Sequence, residues 1–303
     1  MRLLRSYLFA PGNNPALMQK ALRAAADSVV LDLEDAVPEG EKTGARQTVA
    51  TALEQRRARR AEDPSPAPEI FVRINSLASG HWREDVDAVV SEGIAGVRVP
   101  KVEGLDDVCR LSDAIERRER SLGMTPGSVK VVGTVESARG VARLDAIGRG
   151  PRLSGFCFGA SDYCADVGAD PSCDHGTLFA RSTMVVVSRN RNLQAPIASV
   201  YTRLDDDDGL RKDSMRQKAI GFFGRSAIHP RQLPIIHQVF SPTLEEVETA
   251  QKVLLAYEAA QAEGRGVTQA SGGFIDLAVV RGARAILAQI GDSRNDVFGE
   301  DGE

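Results

Sequence analysis

Glu136 and Asp162 each stand where a short apolar run gives way to polar sequence, in VKVVGTVE (129–136) and GFCFGASD (155–162). The chain has four His and no C-x-x-C pair, so a soft metal site is not indicated. Two carboxylates alone form a hard oxygen donor set. That suits Mg2+, which takes few protein ligands and keeps water or substrate oxygen on its other positions. Two solvated loop acids would leave the same trace, and spacing does not separate the readings.

Arg73, in FVRIN, carries the planar fork that grips a carboxylate through two parallel bonds. The acids of SVVLDLED (28–35), Glu34 and Asp35, are its alternative partners. Both arrangements are compatible, because acids that orient an arginine and metal-bound water can sit behind the residues that touch substrate. Lys101, in GVRVPK, pairs with a rim acid or contacts substrate. His229, ahead of Pro230, reads as a hydrogen-bonded strand-end residue rather than a base. LDDDDG (204–209) reads as an acidic helix start with one Asp as cap, and it lacks the calcium-loop pattern.

These residues need elements to position them. Short runs rich in Val, Ile and Phe recur at 6–12, 28–35, 69–75, 96–101, 129–136, 155–162, 197–202 and 221–229. Between them lie stretches with helical periodicity, such as NPALMQKALRAAA and LDDVCRLSDAIERRERSL. Alternating strands and helices require parallel pairing through crossovers. Eight such units predict an α/β fold, a (β/α)8 TIM barrel, rather than an open sheet, and the turn after the first run, PGNNP, lacks the G-x-G-x-x-G of dinucleotide binding. Most runs end in a polar or charged residue. In a barrel those ends share the rim where active sites are built.

From about Ser241 the pattern changes. SPTLEEVETAQKVLLAYEAAQAEG predicts a long helix with a Ser or Thr cap, ended by Gly264. GRGVTQASGGFID follows, a glycine-rich lid or connector, and then the helical IDLAVVRGARAILAQI. The last residues predict disorder.

The 303 residues are 42% hydrophobic and 26% charged with net charge −4, so no general positive field attracts nucleic acid. The run RRARR (56–60) reads as a solvated helix face. Four cysteines without metal spacing read as reduced thiols. No stretch approaches the ~20 apolar residues that span a bilayer. The start MRLLRSYLFAPG lacks a signal's apolar region, and a cytoplasmic protein without membrane or nucleic-acid partners is expected.

Taken in order, RSYLFAPG, VVLDLEDAVP, FVRIN, VRVPKVE, VESARG, FGASDY, VYTRLDDDDGL, AIHPRQL, FSPTLEEVETAQKVL and GFIDLAVVRGARAIL resemble the citrate lyase beta-subunit-like proteins. These belong to the aldolase/citrate lyase group, with the malyl-CoA and citramalyl-CoA lyases. The resemblance runs from about Arg5 to Ile290. It implies a barrel over 1–240, a C-terminal helical extension and lid over 241–291, a tail over 292–303, and a homo-oligomer, trimer or hexamer. It implies Mg2+ on Glu136 and Asp162, with Asp276, Arg73 and Glu34 as the catalytic set. Asp276 would reach a neighbouring subunit's site, and substrate contacts would come from Arg73, Asp35, Lys101 and Ser137.

The chain departs from the family pattern at Asn13-Asn14-Pro15, where Asp-Arg-Pro is common and its arginine assists with CoA phosphates. It departs mildly at Glu136-Ser137-Ala138 for Glu-Thr-Ala, and at Ser271-Gly272-Gly273 for Asp-Gly-Lys. The activity implied is Mg2+-dependent carbon–carbon cleavage of a 3-hydroxy-dicarboxylic acyl-CoA to a 2-oxo acid and an acyl-CoA. Two alternatives stand beside it: a citrate lyase beta subunit acting on a citryl group of an acyl-carrier protein, and a catalytically silent regulatory barrel.

Overall fold

The computed structural model describes residues 3–63, 67–262, 268–270 and 273–297. Chain contacts divide it into two compact units, Leu4–His237 and a second built on Gln238 onward with the extreme N-terminus.

The first unit is organised on a seven-stranded parallel sheet. Its strands are β1 (Ser6–Pro11), β2 (Ser28–Asp32), β3 (Glu69–Arg73), β4 (Gly96–Val99), β5 (Lys130–Val135), β6 (Leu153–Phe158) and β7 (Arg225–Ala227). Their order is β6-β5-β4-β3-β2-β1-β7. β2, β4 and β7 are buried at every residue, β7 even though it reads Arg-Ser-Ala, as strands are when helices cover a parallel sheet. A buried cluster of Leu4, Tyr7, Val30, Phe71, Val132, Cys157 and Ile197 collects side chains from most strands, with Phe9 packed against it.

Seven of the expected runs form strands. The run at 197–202 does not; it makes two isolated parallel bridges, Cys157 to Ile197 and Ala198 to Arg225. Pro196 brings no N–H to a ladder. The two residues that follow pair on both sides: Ile197 donates to Phe156 and accepts from Phe158, while Ala198 donates to Gly224 and accepts from Ser226. Asp206 caps the helix Asp207–Ala219 by accepting from Gly209 N, so LDDDDG is a helix start. His229 accepts from Arg231 N and caps a short turn.

The second unit holds a helix (Leu244–Ala262), a two-stranded antiparallel hairpin of β8 (Thr268–Ala270) and β9 (Gly273–Ile275), and a helix (Leu277–Val297). Thr243 and Glu246 form a reciprocal cap at the first helix, 2.7 and 3.1 Å, as SPTLEE predicts. Tyr257, Ile275 and Val280 form its core. Within the glycine-rich stretch 268–270 and 273–275 pair as strands; Gly264 lies outside the described residues. The last helix runs to Val297, into the segment expected to be disordered, and 298–303 lie outside the described residues. Among the described residues no helix is long and apolar enough to cross a membrane.

Candidate active site

The C-terminal ends of the strands open on a cavity of about 510 Å3, lined by Phe9, Asp32, Asp35, Arg73, Arg98, Glu136 and Asp162 among others. Parallel register explains the first cluster. Asp32 and Arg73 are Cα partners across β2 and β3, so their side chains leave neighbouring strands at one level. Arg73 Nε and Nη2 donate to the two Asp32 oxygens at 2.7 and 2.6 Å, a bidentate pair. Its Nη1 lies 2.8 Å from Glu34 and 3.3 Å from Asp35. Burial would depress the guanidinium, but the bond to Asp32 and the charges of Asp32, Glu34 and Asp35 carry it above its ordinary value. Asp32 also accepts from the backbone of Glu34 and Ala36, which folds the turn after β2 around the same carboxylate.

Glu34 is buried, and burial raises its carboxyl even though Arg73 and Lys101 oppose that. Lys101 Nζ reaches Glu34 at 3.0 Å. The Lys101 backbone is left-handed, φ 54°, a strained position for a residue with a Cβ. That turn aims its N–H at Glu136 Oε1, 2.8 Å away.

Glu136 follows the last residue of β5 and is 7% exposed. Burial, then the charges of Asp162 and Glu34, push its carboxyl up to about 7. The Lys101 N–H is its one hydrogen bond among the described residues, and no cation lies within ion-pair distance. Gly159 makes room for it, since a Cβ there would collide with the Glu136 carboxylate. Asp162 sits in the first turn of the helix Ala160–Val167, with neither a hydrogen bond nor an ion pair among the described residues.

This donor set fits Mg2+. Two oxygen ligands are available, one of them a buried carboxylate short of compensation, and no cluster of three or more metal-ligating side chains occurs among the described residues. A small cation that keeps open positions matches a two-carboxylate site.

The structure therefore brings Glu34, Asp35, Arg73, Lys101, Glu136 and Asp162 together. Asp35 is largely exposed and is the loosest partner of Arg73. Ser137 is placed differently: its hydroxyl accepts from Gly140 N as a helix cap and donates to Glu103 at 2.8 Å. Asp276 belongs to the second unit, where its carboxylate caps the last helix through Ala278 N and Val279 N at 2.8 and 2.9 Å. Asn14 caps the helix Pro15–Leu22, and Asn13 bonds Glu41.

Two cavity residues had no role assigned from sequence. Asp32 stands two residues before Glu34, the spacing that puts strand side chains on one face. Arg98 is a charge inside the apolar run GVRVP, and a charge in a buried strand is a signal in itself.

The chain is similar to known proteins. Residues 5–230 match the HpcH/HpaI aldolase/citrate lyase family. The citrate lyase subunit beta of Haemophilus influenzae is 34% identical over 95% of this chain and 97% of its own. The L-malyl-CoA/beta-methylmalyl-CoA lyase of Cereibacter sphaeroides is 31% identical over 94% of each. Among solved structures, the protein CitE from Mycobacterium tuberculosis in complex with magnesium, acetoacetate and coenzyme A is 27% identical, with a TM-score of 0.75 over 95% of this chain and 98% of that one. The chain belongs to the HpcH/HpaI aldolase/citrate lyase family.

Proposed function

We propose that the protein is a Mg2+-dependent carbon–carbon lyase that cleaves a 3-hydroxyacyl thioester with a second carboxylate, of malyl-CoA or citramalyl-CoA type, to a 2-oxo acid and an acyl-CoA. The observation that carries this reading is the convergence of Glu136 and Asp162, both without a cationic partner, on the cavity that holds Arg73.

Held by Glu136 and Asp162, Mg2+ would supply Lewis-acid polarisation of the substrate's oxygens. Arg73 is fixed in plane and tilt by its bidentate bond to Asp32. A guanidinium locked this way stabilises charge developing on the nascent carbonyl or carboxylate without reorganising. Glu34 holds Arg73 and Lys101 together, and the Lys101 backbone orients Glu136. As the bond breaks, the hydroxyl becomes a carbonyl and releases its proton to solvent, while the electron pair of the bond leaves on the thioester fragment as an enolate, which needs a proton. Asp276, brought from a neighbouring subunit, gives that proton in cleavage and removes it in condensation.

An oligomer is required by that assignment. Support comes from Phe179 and Val186, 75% and 66% exposed and seven residues apart on one helix, hence on one face. The links of Ile197 to β6 and Ala198 to β7 support closure of the sheet into a (β/α)8 barrel. The division of contacts at His237 supports a barrel over 1–240 with an extension beyond it.

A citryl thioester on an acyl-carrier protein is the second reading. Asn14 is favourable to it: this helix start offers CoA phosphates a capping amide where an arginine is common.

The test is a coupled assay of purified protein with Mg2+ and malyl-, methylmalyl-, citramalyl- and citryl-CoA, reading released oxo acid and acyl-CoA, with EDTA as control. Cleavage of one thioester, silenced by EDTA, supports the lyase. No cleavage of any, with Mg2+ still bound, overturns the CoA form and moves the assay to carrier-protein thioesters.

A further inference from the structure

Four arginines are buried among the described residues: Arg46, Arg98, Arg181 and Arg225. Three are paired with an aspartate, Arg46 with Asp85, Arg181 with Asp174 and Arg225 with Asp213. Arg98 is 5% exposed and has no carboxylate within the 4.0 Å of an ion pair. Its contacts are neutral. Nε meets Thr134 Oγ1 at 3.3 Å, Nη1 meets Ser226 Oγ at 3.1 Å, and Nη2 rests against Cys157 Sγ. The guanidinium carbon lies 4.9 Å from the centre of the Phe9 ring.

A buried cation without a counter-charge is costly, and hydroxyls and a ring face compensate it only in part. Yet Arg98 is not sealed in the core, because it lines the same cavity as Glu136, Asp162 and Arg73. It also stands level with Arg73, its Cα partner across β3 and β4, and both guanidinia lie over Phe9. The two arginines differ in one respect. Arg73 faces three carboxylates of the chain, so its donors are largely committed. Arg98 keeps its charge for something that enters.

We propose that Arg98 is a specificity-determining residue that binds a second carboxylate on the oxo-acid half of the substrate. This rests on the lyase reading and departs from its malyl- or citramalyl-CoA substrate, whose oxo acids carry one carboxylate. A thioester whose cleavage yields an oxo dicarboxylate is preferred over one that yields an oxo monocarboxylate, because only the former supplies the missing counter-ion. Guanidinium–carboxylate bonds are the strong class, and leaving a buried charge unpaired is penalised, so one residue can discriminate by one to two orders of magnitude.

The experiment is calorimetric titration of the Mg2+-loaded protein with oxaloacetate and with pyruvate, beside the cleavage assay with citryl- and citramalyl-CoA. The expected result is tighter binding of oxaloacetate. Arg98→Met should weaken oxaloacetate by ~10- to 100-fold and pyruvate by less than about threefold. Arg98→Lys keeps the cation but not the fork and should retain part of the preference. Equal binding of both acids by the unmodified protein, or equal weakening of both in Arg98→Met, overturns the inference and leaves the lyase standing. The unmodified protein decides the first of these even if Arg98→Met does not fold. Binding of neither acid, with no thioester cleaved, overturns both.

Discussion

The two ends of β5 carry two buried glutamates in opposite conditions. Glu119, at the end of the helix Leu105–Ser121, is fully buried beside the start of the strand. It accepts from Gly127 N, Ser128 Oγ and Val129 N at 2.8 to 3.0 Å and pairs with Arg152 at 2.8 Å. Burial alone would raise its carboxyl, but those hydrogen bonds and the Arg152 charge hold it below the ordinary range. Glu136, at the other end, has one hydrogen bond and is pushed up to about 7. The first carboxylate ties a helix end to the beginnings of two strands. The second stands short of partners among the described residues. In parallel α/β sheets, open or closed, sites form at the carboxyl ends of the strands.

The largest effect that can break this contrast is Glu136→Gln. It removes a carboxylate that the proposed function gives to Mg2+, and thioester cleavage should fall by ~100-fold or more with Mg2+ affinity falling in parallel, while thermal stability holds or rises. Activity and Mg2+ titration check the first part, and a melting curve the second. A strong loss of stability with activity kept per folded molecule would erase the distinction between the two ends.

Glu119→Gln tests the other end. It leaves Arg152 beside a neutral amide with Glu116, 3.6 Å away, as its remaining carboxylate, and a loss of about 3 kcal/mol, the low end for breaking a buried pair, is expected. Denaturant unfolding measures it, and kcat of the folded fraction should not change. The same residue sets an acid limb. Because its folded pKa lies below the unfolded value of 4.5, the ionised form favours the fold. Its contribution is complete above about pH 4.5 and is lost as pH falls through the folded value. Unfolding free energy measured from pH 6 downward should therefore fall more gently in Glu119→Gln than in the parent.

Asp32→Asn is smaller and sits at the chemical end. The side chain keeps its shape, but an amide has one acceptor oxygen where the carboxylate uses two, so one of the bonds from Glu34 N and Ala36 N goes and Arg73 loses its bidentate carboxylate. A drop of ~10- to 100-fold in kcat/KM is expected, typical of removing a group that orients a catalytic one. An unchanged kcat/KM would show that Glu34 and Asp35 suffice to hold the arginine.

Much of this contrast is legible in the amino-acid sequence. Parallel strands covered on both faces favour short apolar runs, as SVVLD, EIFVR and KVVGTV show, and a polar residue closing such a run marks the cavity end. What cannot be read there depends on contacts between segments far apart along the chain. The pairing of Asp32 with Arg73 follows from the β2–β3 register, and register is not written in either run alone. Arg98 is visible as an arginine within GVRVP, but its lack of a counter-ion emerges only when Thr134, Cys157 and Ser226 are seen around it. The run at 197–202 has strand composition, yet only Ile197 and Ala198 make bridges.

Ser137 sharpens the comparison at its finest scale. It follows Glu136, and its hydroxyl could serve the substrate or the fold. The geometry assigns it to the fold: it accepts from Gly140 N at 3.1 Å as a helix cap and donates to Glu103 at 2.8 Å, which leaves no free proton for a ligand. Ser137→Ala should then cost about 1 kcal/mol in denaturant unfolding, the usual loss for a capping hydroxyl, and change KM by less than about twofold. Ser137→Thr keeps the cap and should recover most of that loss. If instead KM rises tenfold in Ser137→Ala while stability is untouched, the hydroxyl turns toward substrate during turnover, and the chemical end of the strand reaches one residue further than its resting contacts indicate.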